Sequence, residues 1–150
     1  MPQFFTFQVH FVIFSLTKMQ YKSKQQHIQR SAEQIYTLLS NFNHFTPILQ
    51  DKVEFWEATE ERCKFRVQGF DVQLRFEERE PHHRIKLVPE GDSLPFPFAF
   101  WIQIKETAPY DTRLRVVLDI ELNMMMRMMV GSKLQSATDK IAEQIATALR

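Results

Sequence analysis

The sequence predicts an α+β fold: a curved antiparallel sheet of about seven strands wrapped around one long C-terminal helix, with two short helices after the first strand. Three observations predict it. Apolar and polar residues alternate over most of 53–122, the period of strands that have one buried and one wet face. From the methionine cluster Met124, Met125, Met126, Met128 and Met129 onward, apolar residues recur at spacings of three and four, the period of an amphipathic helix. The turns between strands all place the apolar residues on one face, and a one-residue slip in any turn would break that agreement.

Each element has its own signal. Residues 20–29 (QYKSKQQHIQ) are polar but extended in character and read as an edge strand. Ser31 and Gln34 form a capping box, opening a short helix whose buried side is Ile35, Leu38 and Leu39. A second short helix or turn covers Asn41 to Leu49, with Phe42, Phe45 and Ile48 on one side and Pro47 ending or kinking it. Strands follow at Val53 and Phe55, at Cys63 to Val67, and at Phe70 to Phe76. Ile85 and Leu87, Phe98 to Ile104, and Leu114 to Leu122 complete the set.

Gln68-Gly69 makes a two-residue hairpin loop that pairs Val67 with Phe70 and Phe65 with Val72. Arg79 to His82 turns around Pro81 and keeps Phe76 and Ile85 on one side. Thr107 to Asp111 returns Ile104 opposite Leu114. The closing helix runs from Met124 or Met126 to Leu149, with Met126, Val130, Leu134, Ala137, Ile141, Ile145 and Ala148 inward. At about 1.5 Å per residue it spans over roughly 30 Å, the reach of a ten-residue strand.

A chain of 150 residues is one domain by length, and 44% hydrophobic and 25% charged residues are ordinary for a globular protein. The net charge of +1 argues against non-specific nucleic-acid binding. Fourteen phenylalanines against three glycines point to large side chains filling the sheet interior. Cys63 is the single cysteine, so an internal disulfide is excluded; it reads as a small core residue. Residues 1–18 differ in character from the domain at 19–150. They are too short in apolar core to span a membrane and lack a basic start and a small-residue cleavage site. Three readings stand: an extension upstream of a true start at Met19, a signal or anchor, or an added strand carrying Phe5, Phe7, Val9, Phe11 and Ile13.

The element order over 19–150 resembles the START and birch-pollen-allergen superfamily (SRPBCC, with the polyketide cyclase/dehydrase and lipid-transport group), whose fold is the helix grip. The Glu80-Pro81 turn, the Pro95-x-Pro97-x-x-x-Trp101 approach to a strand and the small residues Gly131 and Ser132 near the helix start add to the likeness. It is similar in particular to small stand-alone bacterial members. The resemblance implies a cavity between sheet and helix that holds an apolar ligand such as a sterol, phospholipid, quinone or polyketide. A minority of that superfamily are cyclase-like enzymes, and others act as protein-interaction modules.

The inward face expected from parity carries almost no polar group. Phe55, Phe65, Val67, Leu74, Phe98, Phe100, Ile102, Leu118 and Ile120 are the pocket candidates on the sheet, with Val72 and Val116 on the same face. Met126, Met129, Val130 and Leu134 are those on the helix. The same residues equally describe a filled core. No catalytic constellation, metal motif or cofactor motif is expected: acid–base chemistry needs a positioned titratable group, which these strands do not point inward. His27, His44 and the adjacent His82 and His83 read as surface or hydrogen-bonded histidines, and Trp56 and Trp101 fall on the outer parity. The leading expectation is a cytoplasmic carrier of an apolar small molecule, without nucleic acid or stable membrane anchor and with a protein partner as the alternative.

Overall fold

A computed structural model describes residues 16–67, 69–91 and 96–150. The described chain forms one antiparallel sheet of eight strands: β1 (Thr17–Lys22), β2 (Gln26–Ile28), β3 (Phe55–Ala58), β4 (Arg62–Val67), β5 (Phe70–Glu80), β6 (Arg84–Pro89), β7 (Phe98–Ala108) and β8 (Asp111–Leu122). The spatial order is β1-β8-β7-β6-β5-β4-β3, and β2 lies beside β1 along β8. Between β2 and β3 come α1 (Ala32–Leu39), a 3₁₀ turn (Phe42–Phe45) and α2 (Thr46–Leu49). The closing helix α3 (Met124–Leu149) lies across β8, β1 and β2. This is the expected α+β architecture.

The expected turns hold their registers. Gly69, at φ 82°, lets Val67 pair with Phe70 and Phe65 with Val72. Ile104 pairs with Leu114 across the turn at Tyr110, whose φ is 57°. Between β5 and β6 the turn needs help: a bulge after Phe76 puts Glu77 and Glu78 against a single partner position. The bulge keeps Phe76 and Ile85 on the inner face and turns Arg79 inward with them, where its guanidinium stands 4.7 Å from the Phe76 ring centre. His82 occupies the turn at φ 67°.

The capping box is present as both reciprocal hydrogen bonds between Ser31 and Gln34. Pro47 corrects an expectation: it stands in the first turn of α2, where its missing N–H costs nothing, rather than ending or kinking that segment. The 20–29 strand is also corrected, because it breaks at Ser23 and is already paired at Thr17, ahead of Met19. Tyr21 and Ile28 are both buried, yet seven residues apart they would face opposite ways in an unbroken strand. Ser23 absorbs the shift by bonding Val116 through its N–H and its hydroxyl oxygen. Residues 1–15 lie outside the described part, and with them most of the expected extension.

On α3 the inward stripe departs from expectation beyond Leu134. Ala137 and Ala148 are exposed, and Thr138, Ala142, Ala146 and Leu149 are buried with Ile145. Small side chains at these positions allow close approach to the sheet, and the Thr138 hydroxyl is satisfied by the Leu134 carbonyl.

Candidate functional site: the open end of the grip

Between sheet and α3 burial is complete at one end, the sealed end, and partial at the other, the open end. Along β7, Ile102 and Ile104 are 2% and 4% exposed, whereas Phe98 and Phe100 are half-buried. Along α3, Thr138 and Ala142 are fully buried, whereas Met126, Val130 and Leu134 are half-buried. At the sealed end α1, the 3₁₀ turn and α2 plug the grip with Ile35, Leu39, Phe42 and Ile48, and Phe42 stacks on Phe76 at 4.2 Å between ring centres. At the open end the sheet offers Phe98 and Phe100, edge to face at 6.4 Å between ring centres.

The residues expected at a pocket divide accordingly. Phe98, Phe100, Met126, Val130 and Leu134 stand together around the open end, with Leu118 and Ile120 beneath them, whereas Phe65 is half-buried beside Trp56 against the main core. Leu74 and Ile102 are buried in the main core. Val67 lies on β4, and its side chain is outside the described part. Two expectations are corrected. Phe55 is 43% exposed on the outer face, because Trp56 pairs with Phe65 and therefore shares its face. The Trp56 ring lies 6.0 Å from Phe65, and its N–H donates to the Thr46 hydroxyl at 2.9 Å, so α2 fixes the parity of β3. Met129 is 67% exposed, because Met126 and Val130, on the next positions around the helix, take the inward side.

Polar groups near the inner face are few. Cys63 is buried opposite Leu74, and burial pushes its thiol up to about 12, so it is a thiol and not a thiolate at neutral pH. Arg79 donates to the Glu61 carboxylate and the Ser40 carbonyl. The histidines lie elsewhere: His27 pairs with Asp111 on the surface, His44 bonds the Leu38 carbonyl, His82 packs edge-on to Tyr36, and His83 is exposed. Among the described residues no group of three or more His, Cys, Asp or Glu is placed to hold a metal ion. No described helix is long and apolar enough to cross a membrane.

Two of the larger surface grooves open elsewhere on the surface, the first of them reaching Phe98 and Ile120 at its edge. One of about 700 Å³ crosses the outer face beside Trp101, whose N–H donates to Asp119 and whose ring carries Lys86 at 5.0 Å. The other, about 690 Å³, lies at the end of α3 among His27, Arg30, Tyr110 and Arg150. Both are open; the first is lined by both signs of charge and the second by the basic side chains Arg30 and Arg150.

The fold agrees with what comparison with known proteins finds. The chain belongs to the carbon monoxide dehydrogenase subunit family CoxG, which matches residues 25–150. It is similar in structure to norcoclaurine synthase from Thalictrum flavum, solved with dopamine and hydroxybenzaldehyde. That match has a TM-score of 0.72 at 14% identity, covering 91% of this chain and 88% of that one. A protein from Thermus thermophilus matches at a TM-score of 0.64 and 20% identity over 87% of this chain and 97% of that one. An uncharacterised Bacillus thuringiensis protein matches at 0.58 and 15% over 84% and 96%. No curated protein matches the sequence. At these identities the structural likeness establishes the helix-grip fold.

Proposed function

We propose that this member of the CoxG family is a binding or carrier module for an apolar small molecule, lipid-like or aromatic, taken up at the open end of the grip. The observation that carries the reading is the exposure gradient on one continuous apolar face. Phe98 and Phe100 are left half-buried, so that about half of the roughly 1.5–3 kcal/mol that full burial of each aromatic side chain is worth is still to be gained. A ligand seated there completes the burial. Half-buried Met126, with its unbranched side chain, can re-pack around different shapes. The family description, a dehydrogenase subunit, supports a module that serves a partner protein. Binding rather than turnover is proposed because the inward groups supply no acid–base pair.

Native mass spectrometry of freshly purified protein, with thermal shift across fatty acids, phospholipids, quinones and aromatic ketones, tests this. The expected result is a co-purified mass or a stabilisation of about 2.7 kcal/mol at a hundredfold excess over Kd. A bare protein mass together with no shift across the panel overturns it.

A further inference from the structure

The apolar cluster at the open end has one phenolic tip. Tyr21, on β1 opposite Leu118, is 9% exposed, and its ring clusters with Leu118, Ile120 and Leu122. Met126, Val130 and Leu134 pack against the same cluster from α3. The hydroxyl reaches the helix at Gly131, where an added Cβ would stand 3.3 Å from it. A glycine inside a helix weakens it relative to alanine, so a packing reason is expected, and the approach of Tyr21 supplies one.

A tyrosine this buried ordinarily finds a hydrogen-bond partner. Among the described residues Tyr21 Oη has none, although nearby polar side chains do: Ser23 is bonded to Val116, Gln135 to the Lys22 carbonyl, and Asp139 to the Lys24 N–H. Nor is the oxygen sealed away. Among the described residues the one fully sealed side-chain atom without a hydrogen bond is Asp111 Oδ1, which has His27 as its ion-pair partner. A phenylalanine would fill the same volume without an unmet donor. The hydroxyl is therefore a donor held ready in apolar surroundings.

We propose that Tyr21 is the polar contact of the apolar site, and that the ligand is an apolar molecule carrying a hydrogen-bond-accepting oxygen, a carbonyl oxygen above all. This rests on the apolar-ligand reading above and adds which end of the molecule is recognised. Hydrogen-bond selection of this kind discriminates against an isostere that lacks the oxygen.

The test uses two probes of matched shape, 2-acetylnaphthalene and 2-ethylnaphthalene, titrated calorimetrically into wild type and Tyr21→Phe. Tyr21→Phe should weaken the ketone about tenfold, the worth of one net hydrogen bond, and leave the hydrocarbon unchanged within about twofold. Gly131→Ala, which presses a methyl group on the hydroxyl, should give the same selective loss and serves if Tyr21→Phe fails to fold. Equal loss for both probes, or no loss for either, overturns the role of Tyr21 and leaves the apolar site standing. Failure of both probes to bind wild type overturns the carbonyl-ligand reading, whereas the apolar site falls only with a bare mass and no shift across the wider panel.

Discussion

The two ends of the grip are made of the same residue types and differ in how they are closed. At the sealed end three short helical segments and the small-residue half of α3 converge, and Ile28, Ile35, Ile85 and Leu114 are fully buried. At the open end the large-residue half of α3 lies over β8 and β1, and the aromatic side chains of β7 are left half-covered. Apolar composition is thus common to both, and closure is what separates a core from a candidate binding site.

The largest expected effect tests that division. Leu114→Ala, at the sealed end, removes a fully buried side chain that close-packed neighbours cannot replace, at a cost of about 2–5 kcal/mol. Phe100→Ala deletes more atoms but at the open end, where the loss is partly to solvent already; it should cost less than Leu114→Ala despite its size. Chemical denaturation of both variants reads the difference. If Phe100→Ala proves the more damaging, the open end is core and the division fails.

Sequence periodicity made the sheet, its turns and the closing helix legible because each strand repeats its signal several times and each turn checks its neighbours. The face of β3 was not legible. That strand is four residues long, and its parity is set by the Trp56–Thr46 hydrogen bond, a contact between segments that no local pattern encodes. The break in the first strand is the opposite case. The odd spacing of Tyr21 and Ile28 signals it once both are taken as inward, and that would also have brought Tyr21 into the candidate site. Openness itself has no sequence signature, since Phe98 and Ile102 alternate in phase and differ only in what lies above them.

An intermediate effect sharpens the boundary at β3. Trp56→Phe removes the N–H that donates to Thr46 and should cost about 0.5–1.5 kcal/mol. Phe55→Ser, on the outer face, should stay within about 0.5 kcal/mol. Reversal of this order in thermal melts would return Phe55 to the inner face.

The smallest effect lies outside both ends, on the outer face, where the comparison predicts independence. Glu77, at the β5 bulge, pairs with Lys86 at 2.7 Å, and the hydrogen bond from the ammonium holds its carboxyl below the ordinary value of 4.5. A carboxyl lowered in the folded state stabilises the protein above its unfolded value and loses that contribution as pH falls through the folded one. Lys86→Met should therefore raise the Glu77 midpoint, read by carboxyl carbon NMR. It should narrow the stability gap between variant and wild type as pH drops below about 4.5. Ligand affinity should not move with it, because the pair faces solvent on the side of the sheet away from α3. A parallel change in affinity for the naphthalene probes would show that the outer face is coupled to the open end through the bulge, and the site would then have to be drawn through the sheet rather than on one side of it.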